Sequence, residues 1–165
     1  MYDARAISNF FFHRAAEAGS GLTVMTLLKV LYFAHAWHLA KTGNPLIAQP
    51  FEAWQHGPVN RVVYEQYKGY GKRLLDKPAL SYDPVRLEFT ETQAAFDPAT
   101  TAFLSNIFDY YSRFDSFTLS DLTHEEGGPW HIIWKESQNR AVPGMVIPNQ
   151  LIERWFQSQR SRLVS

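Results

Sequence analysis

The chain has 165 residues with Lys+Arg and Asp+Glu both at 16, the length of one domain carrying no formal net charge. Its 45% hydrophobic and 15% aromatic content excludes intrinsic disorder, and a chain this long buries roughly two-thirds of its unfolded surface. Zero cysteine excludes disulfides, thiolate nucleophiles, zinc fingers, iron–sulfur clusters and the zinc-deaminase signature, each of which needs a sulfur ligand.

In chain order, a first helix is expected over residues 3–18, with Ile7, Phe10, Phe11 and Ala15 on one face and Gly19, Ser20 and Gly21 as its stop. Thr23 reads as the N-cap of a second helix running to Thr42, closed by Gly43-Asn44-Pro45. Apolar residues surround this helix (Leu27, Leu28, Val30, Leu31, Phe33, Trp37, Leu39), the pattern of a central element packed on all sides. Lys29, His35 and His38 interrupt the run, which is too short to cross a bilayer. No basic-then-apolar leader opens the chain, so a cytoplasmic home is expected.

The alternating Phe51-Glu52-Ala53-Trp54-Gln55 reads as a strand, and His56-Gly57-Pro58 is expected to turn it into a third helix with Pro58 at the first position. Val59, Val62, Val63, Tyr67 and Tyr70 form that helix's buried side, and Gly69 and Gly71 end it. Residues 72–97 lose periodicity and carry Pro78 and Pro84. They read as a loop-rich, variable segment with at best one edge strand around residues 85–89. Asp97 and Pro98 open a helix whose Thr100, Phe103, Leu104, Ile107, Phe108 and Tyr111 follow the amphipathic template. Thr118-Leu119-Ser120-Asp121 resembles a capping box for a short helix ended by Gly127 and Gly128, and Pro129 restarts a helix with Trp130, Ile133 and Trp134. A last helix begins near Pro148 with Leu151, Ile152, Trp155 and Phe156 on one side, and residues 143–147 are expected to pair with the Phe51 strand. The expected architecture is mainly α: one domain over residues 1–165, a compact bundle of six to seven helices around a central helix, with a small two- or three-stranded sheet.

Few constellations carry chemistry. His35 and His38, three apart on a helix, can reach one metal, or each can be a hydrogen-bonded core or boundary histidine. Thr123-His124-Glu125-Glu126, with His131 beyond it, supplies an imidazole beside carboxylates, but Gly128 stands where HExxH needs its second histidine. A metal-dependent hydrolase using His124 and Glu125 is therefore one alternative, and a locally bonded helix end is the other. Gly69-Tyr70-Gly71-Lys72 fails Walker A at Gln66 and Arg73, and neither a dinucleotide fingerprint nor a nucleophile elbow is present. Tyr64, Tyr67 and Tyr70 interleave with Arg61, Lys68, Lys72 and Arg73, as a single-strand-binding surface or as tyrosines half-buried on a helix edge. Balanced overall charge makes direct nucleic-acid binding the weaker alternative.

Three blocks carry a family resemblance. Leu22-Thr23 leading into Leu27-Leu28-Lys29-Val30-Leu31-Tyr32-Phe33-Ala34-His35-Ala36-Trp37 is the first. Phe51-Glu52-Ala53-Trp54-Gln55-His56-Gly57-Pro58-Val59 with Val63-Tyr64 is the second, and Leu122-Thr123-His124-Glu125-Glu126-Gly127-Gly128-Pro129-Trp130 the third. In this order they resemble the signature blocks of the Panacea domain, the SocA-like and GepA-like proteins often associated with prophages. Ala36 stands where a glycine is common, and Gly127-Gly128 replaces a single small residue before Pro129-Trp130. The resemblance implies the antitoxin half of a bacterial toxin–antitoxin pair, with no cofactor and no catalytic residues. It also implies a cognate protein toxin as partner and, for one member type, an adaptor role toward a protease or its unfoldase. Its structural signature here is Lys29, Tyr32, His35, Trp37, Glu52, Trp54, Gly57, Pro58, Tyr64, Thr123, His124, Glu125, Pro129 and Trp130, expected to be mainly scaffold.

Charge placement suggests where a partner sits. Residues 88–126 hold eight acids against Arg113 alone, a net charge of −7 on a chain that balances overall. An inhibitor of a toxin that acts on nucleotides or RNA gains from offering acid to a basic groove. Glu88, Glu91 and Asp115, with Tyr82 and Phe89 as exposed anchors, are therefore expected to belong to the toxin-facing surface, against the alternative of a solvated face.

Overall fold

The computed structural model describes residues 1–138 and 144–164, with side chains through residue 160. Helix α1 (Ala4–Glu17) starts where the Asp3 carboxylate accepts from the Arg5 backbone N–H at 2.8 Å. Helix α2 (Val24–Thr42) starts at Thr23, whose hydroxyl accepts from Thr26 N–H at 3.3 Å. It ends at Gly43, whose φ of 70° lets its N–H close on Leu39 O at 2.8 Å. α2 is the central element: α1, four later helices and a β-hairpin strand pack around it, as its all-round apolar sequence implies.

Strands β1 (Phe51–Trp54) and β2 (Gly57–Asn60) form an antiparallel hairpin in the register Phe51↔Asn60 to Trp54↔Gly57. This corrects the expectation of Pro58 at a helix start. Asn60 is the cap, its side chain accepting from Val63 N–H, and helix α3 runs Arg61–Tyr67 behind it. A proline fits β2 because its partner, Ala53, turns its N–H to the other side, onto Met145 O at 2.8 Å. The Ala53↔Pro58 pair is thus a non-hydrogen-bonded one, where the missing N–H costs no ladder bond. Ile147 N–H also donates to Phe51 O at 2.8 Å and Val146 bridges Glu52, so residues 145–147 lie along β1 as expected, while Pro143 is outside the described residues.

A second antiparallel hairpin, β3 (Leu80–Asp83) with β4 (Glu88–Glu91), replaces the single edge strand expected around residues 85–89. Val85 lies in the turn, which Asp83 holds by accepting from Val85 and Arg86 N–H, with Leu87 at a φ of 55°. The hairpin's base is sewn to α1 by Asn9, which donates to Ala79 O and Thr92 O and accepts from Ala79 N–H at 2.7 Å. Its strands are half to fully exposed, so no alternating apolar pattern announces them.

Helix α4 (Pro98–Tyr111) is capped by Asp97 and buries Leu104, Ile107, Phe108 and Tyr111, as expected. Helix α5 (Ser116–Thr123) starts three residues earlier than the Thr118 box suggests. Asp115 is the cap, accepting from both Phe117 and Thr118 N–H at 2.9 Å. Helix α6 (Pro129–Glu136) opens on Pro129, and α7 (Asn149–Val164) buries Ile152 and Phe156 against α2. The result is mainly α with minor β. No helix among the described residues is long and apolar enough to cross a membrane.

Candidate functional site

The three sequence blocks meet in space. Trp130, the second residue of α6, donates its indole N–H to Trp54 O at the end of β1, at 2.7 Å. His124, just past α5, stacks on the Trp130 ring with centroids 3.8 Å apart, and Trp134 stacks beyond at 5.5 Å. Trp54 donates to the Glu52 carboxylate at 2.9 Å and meets Tyr64 edge-on at 4.8 Å. Gly57 adopts a φ of +107°, which side chains resist, and a Cβ there would overlap Lys29 Nζ and lie 2.8 Å from Thr123 Oγ1. Glycine is thus required twice over, by the backbone and by the lysine that fills its side-chain space.

Lys29 is the unexpected member. It is 0% exposed on the central helix, and its ammonium makes one hydrogen bond among the described residues, to Pro58 O at 3.3 Å. Burial pushes its pKa down to about 7. Nearby, burial lowers His124, Lys29 adds to this, and Asp121 and the His56 backbone oppose it. His124 Nε2 is buried and completes no hydrogen bond among the described residues. A cavity of about 410 Å³ lies beside Lys29, with Leu28, Trp54, Val59, Tyr64 and Tyr67 in its wall.

The other signature residues hold the frame. His35 is buried, accepts from Ile47 N–H through Nδ1 at 3.2 Å and so donates from Nε2 to Asn149 Oδ1 at 2.9 Å. That geometry demands the neutral ring, and burial pushes its pKa down to about 4. Trp37 donates to Tyr111 Oη at 2.6 Å, and Tyr32 packs edge-on to Phe51 at 5.4 Å with its hydroxyl pKa driven up by burial. Glu125 contributes its backbone carbonyl, which accepts from Gly128 N–H at 2.9 Å.

His38 bonds Asn44 O at 2.8 Å instead of sharing a ligand with His35. No three His, Cys, Asp or Glu side chains among the described residues are placed to hold one metal ion. His131 accepts from Gly127 N–H at 3.0 Å. Much of the tyrosine and cation interleave of residues 64–73 is engaged within the chain. Tyr67 is buried and bonds Lys77 O, Tyr70 bonds Asp76, Arg73 lies over the Tyr70 ring, and Lys68 pairs with Glu65.

The acidic segment divides. Asp97 and Asp115 cap helices, Asp109 pairs with Arg14 at 2.9 Å, and Glu91 pairs with His13. Glu88 stands exposed on β4 beside Phe89, whose ring meets Tyr82 at 5.6 Å across the hairpin. Tyr82, Val85, Leu87 and Phe89 are all exposed, Val85 to 89% and Leu87 to 74%.

Sequence reasoning missed the burial of Lys29 and the suture through Asn9. A lysine ringed by apolar residues in a helix apolar on every side was the available signal for the first, whereas the Asn9 contacts span 70 residues and more and left none.

Fold and junction together define a mainly α protein in which two short strands and the starts and ends of helices lock around a buried lysine. A family model described as antitoxin SocA-like, Panacea domain, matches residues 27–131, and the chain belongs to that antitoxin family. The chain is also similar to Antitoxin SocA of Caulobacter vibrioides (strain NA1000 / CB15N), 28% identical over 158 residues, covering 96% of this chain and 84% of that protein. No solved structure matches.

Proposed function

We propose that the protein is the antitoxin of a bacterial toxin–antitoxin pair, one domain over residues 1–165 that neutralises a protein toxin in the cytoplasm by direct contact and without a cofactor. The observation that carries this reading is the second hairpin. A paired Tyr82 and Phe89, with exposed Val85 and Leu87 at the tip and Glu88 beside them, is an apolar anchor with an acidic flank. Large aromatic anchors supply most of the energy of protein interfaces, and flanking charge sets the speed of encounter. A toxin that handles nucleotides or RNA presents the basic surface such a flank complements. The same complex, handed to a protease or its unfoldase, would make the protein an adaptor.

Co-expression with the product of the neighbouring reading frame tests the proposal. Wild type restores growth, and Tyr82→Ala with Phe89→Ala abolishes rescue while melting unchanged. Full rescue by that double variant would remove the hairpin from the interface. Toxin abundance separates the two modes, since an adaptor lowers it and a simple inhibitor leaves it constant.

A further inference from the structure

The cavity beside Lys29 has no part in the toxin-facing hairpin, and its chemistry is unusual. An ammonium wholly out of contact with solvent normally has a carboxylate partner or several acceptors, because an unpaired buried charge is costly. Lys29 has neither. Its sole hydrogen bond, to Pro58 O, is long at 3.3 Å and leaves two of its three donors unused among the described residues. The residues lining the cavity include Lys29, His56 and Lys68 but no aspartate or glutamate, and Glu65 neutralises Lys68 at its exposed end. The rest of the wall is largely apolar and aromatic, with the Trp54 and Tyr64 rings set edge to face.

We propose that this cavity binds a free small-molecule carboxylic acid with an apolar or aromatic body, the Lys29 ammonium turning from Pro58 O onto the carboxylate. With Lys68 held by Glu65, the Lys29 ammonium is left to a singly charged anion. A cationic ligand finds no counter-charge there. The volume of about 410 Å³ falls in the range of small-molecule sites. The covered position of Lys29 favours a free acid over the terminus of a folded chain.

The test uses the full chain and 3-phenylpropionate as probe, with 3-phenylpropionamide as the uncharged control. Binding is read from the Trp54 indole N–H resonance. The acid is expected to shift it saturably and the amide to bind at least about ten-fold more weakly. Lys29→Met, close to lysine in shape, should bring the acid down to the amide's affinity, with circular dichroism verifying its fold. Met25→Trp, at a half-exposed position in the cavity wall, should block both probes and serves if Lys29→Met fails to fold. A tetrapeptide ending in a free phenylalanine carboxylate should bind more weakly than the free acid. Equal binding of acid and amide, acid binding undiminished in Lys29→Met or Met25→Trp, or tighter binding of the peptide would each overturn the proposal.

Discussion

The two hairpins among the described residues have strands of the same length and opposite characters. β1–β2 is buried on both sides, hydrogen-bonded along its outer edge by residues 145–147 and pinned by Trp130 and Lys29. β3–β4 is held at its base, by Asn9, by Arg5 and Gln66 on Leu80 and by the His13–Glu91 pair, and leaves two rings and two aliphatic residues in solvent. The first is where truncation costs folding, and the second is where, on the proposed function, truncation costs contact with a partner. A buried group loses its packing whenever it is cut, while an exposed group has nothing to lose until something docks on it.

Trp130→Ala breaks the buried side hardest. It removes the bond to Trp54 O and the stacks with His124 and Trp134. Urea unfolding is expected to show a loss of about 3–5 kcal/mol. Unchanged stability with loss of toxin binding would instead make Trp130 an exposed anchor.

Acid attacks the same region next. His35 is neutral in the fold, held down to about pKa 4 from 6.5 by burial, so the unfolded chain binds the extra proton between those values. The His35 contribution to stability is therefore full above about pH 6.5 and lost as pH falls toward 4, by about 3 kcal/mol. His124, also depressed, adds to the loss with the same sign. Lys29 likewise favours its neutral form in the fold, so stability rises further from pH 7 toward 10.5. Urea midpoints across pH 4 to 10 check both slopes, and His35→Gln should flatten the acid one.

Gly57→Ala is expected to cost about 2 kcal/mol, from the positive φ and the overlap with Lys29. Pairing it with Lys29→Ala should recover the overlap and leave the backbone strain, giving a favourable coupling in a double-mutant cycle. Additive losses would mean that lysine and glycine act independently.

On the exposed side the expected stability effects shrink. Asp115→Lys costs about 1 kcal/mol because it removes a helix cap. Tyr82→Ala with Phe89→Ala stays within about 0.5 kcal/mol in denaturant yet ends toxin rescue. Glu88 holds no helix cap and no ion pair among the described residues, and Glu88→Lys should slow association several-fold at low salt and little at high salt in stopped-flow. Fast, salt-insensitive association of that variant would leave Glu88 outside the encounter surface.

Much of this was legible in the residues. The caps at Thr23 and Asp97, the Gly43 stop, the span of α1 and the amphipathic α4 follow from local chemistry, and each stands within a residue or two of its expected place. The helix start at Pro58 was misjudged because proline is equally at home at a helix's first turn and at a non-bonded strand position. Only the partner of Ala53, some 90 residues away, decides between them. The Thr118 box lost to Asp115 because both offer a capping oxygen, and the earlier one already bonds two amides.

Local chemistry along the chain dictates which helices form and that α2 is central, because capping, periodicity and apolar content act over a few residues, and the three blocks carry the family by their residues alone. Tertiary structure alone decided that Lys29 is buried at Gly57, that Trp54 and Trp130 close one junction, and that the second hairpin stands free. Those outcomes depend on which distant backbone groups are left to accept a bond and which faces are already covered, and no short stretch of sequence contains that information.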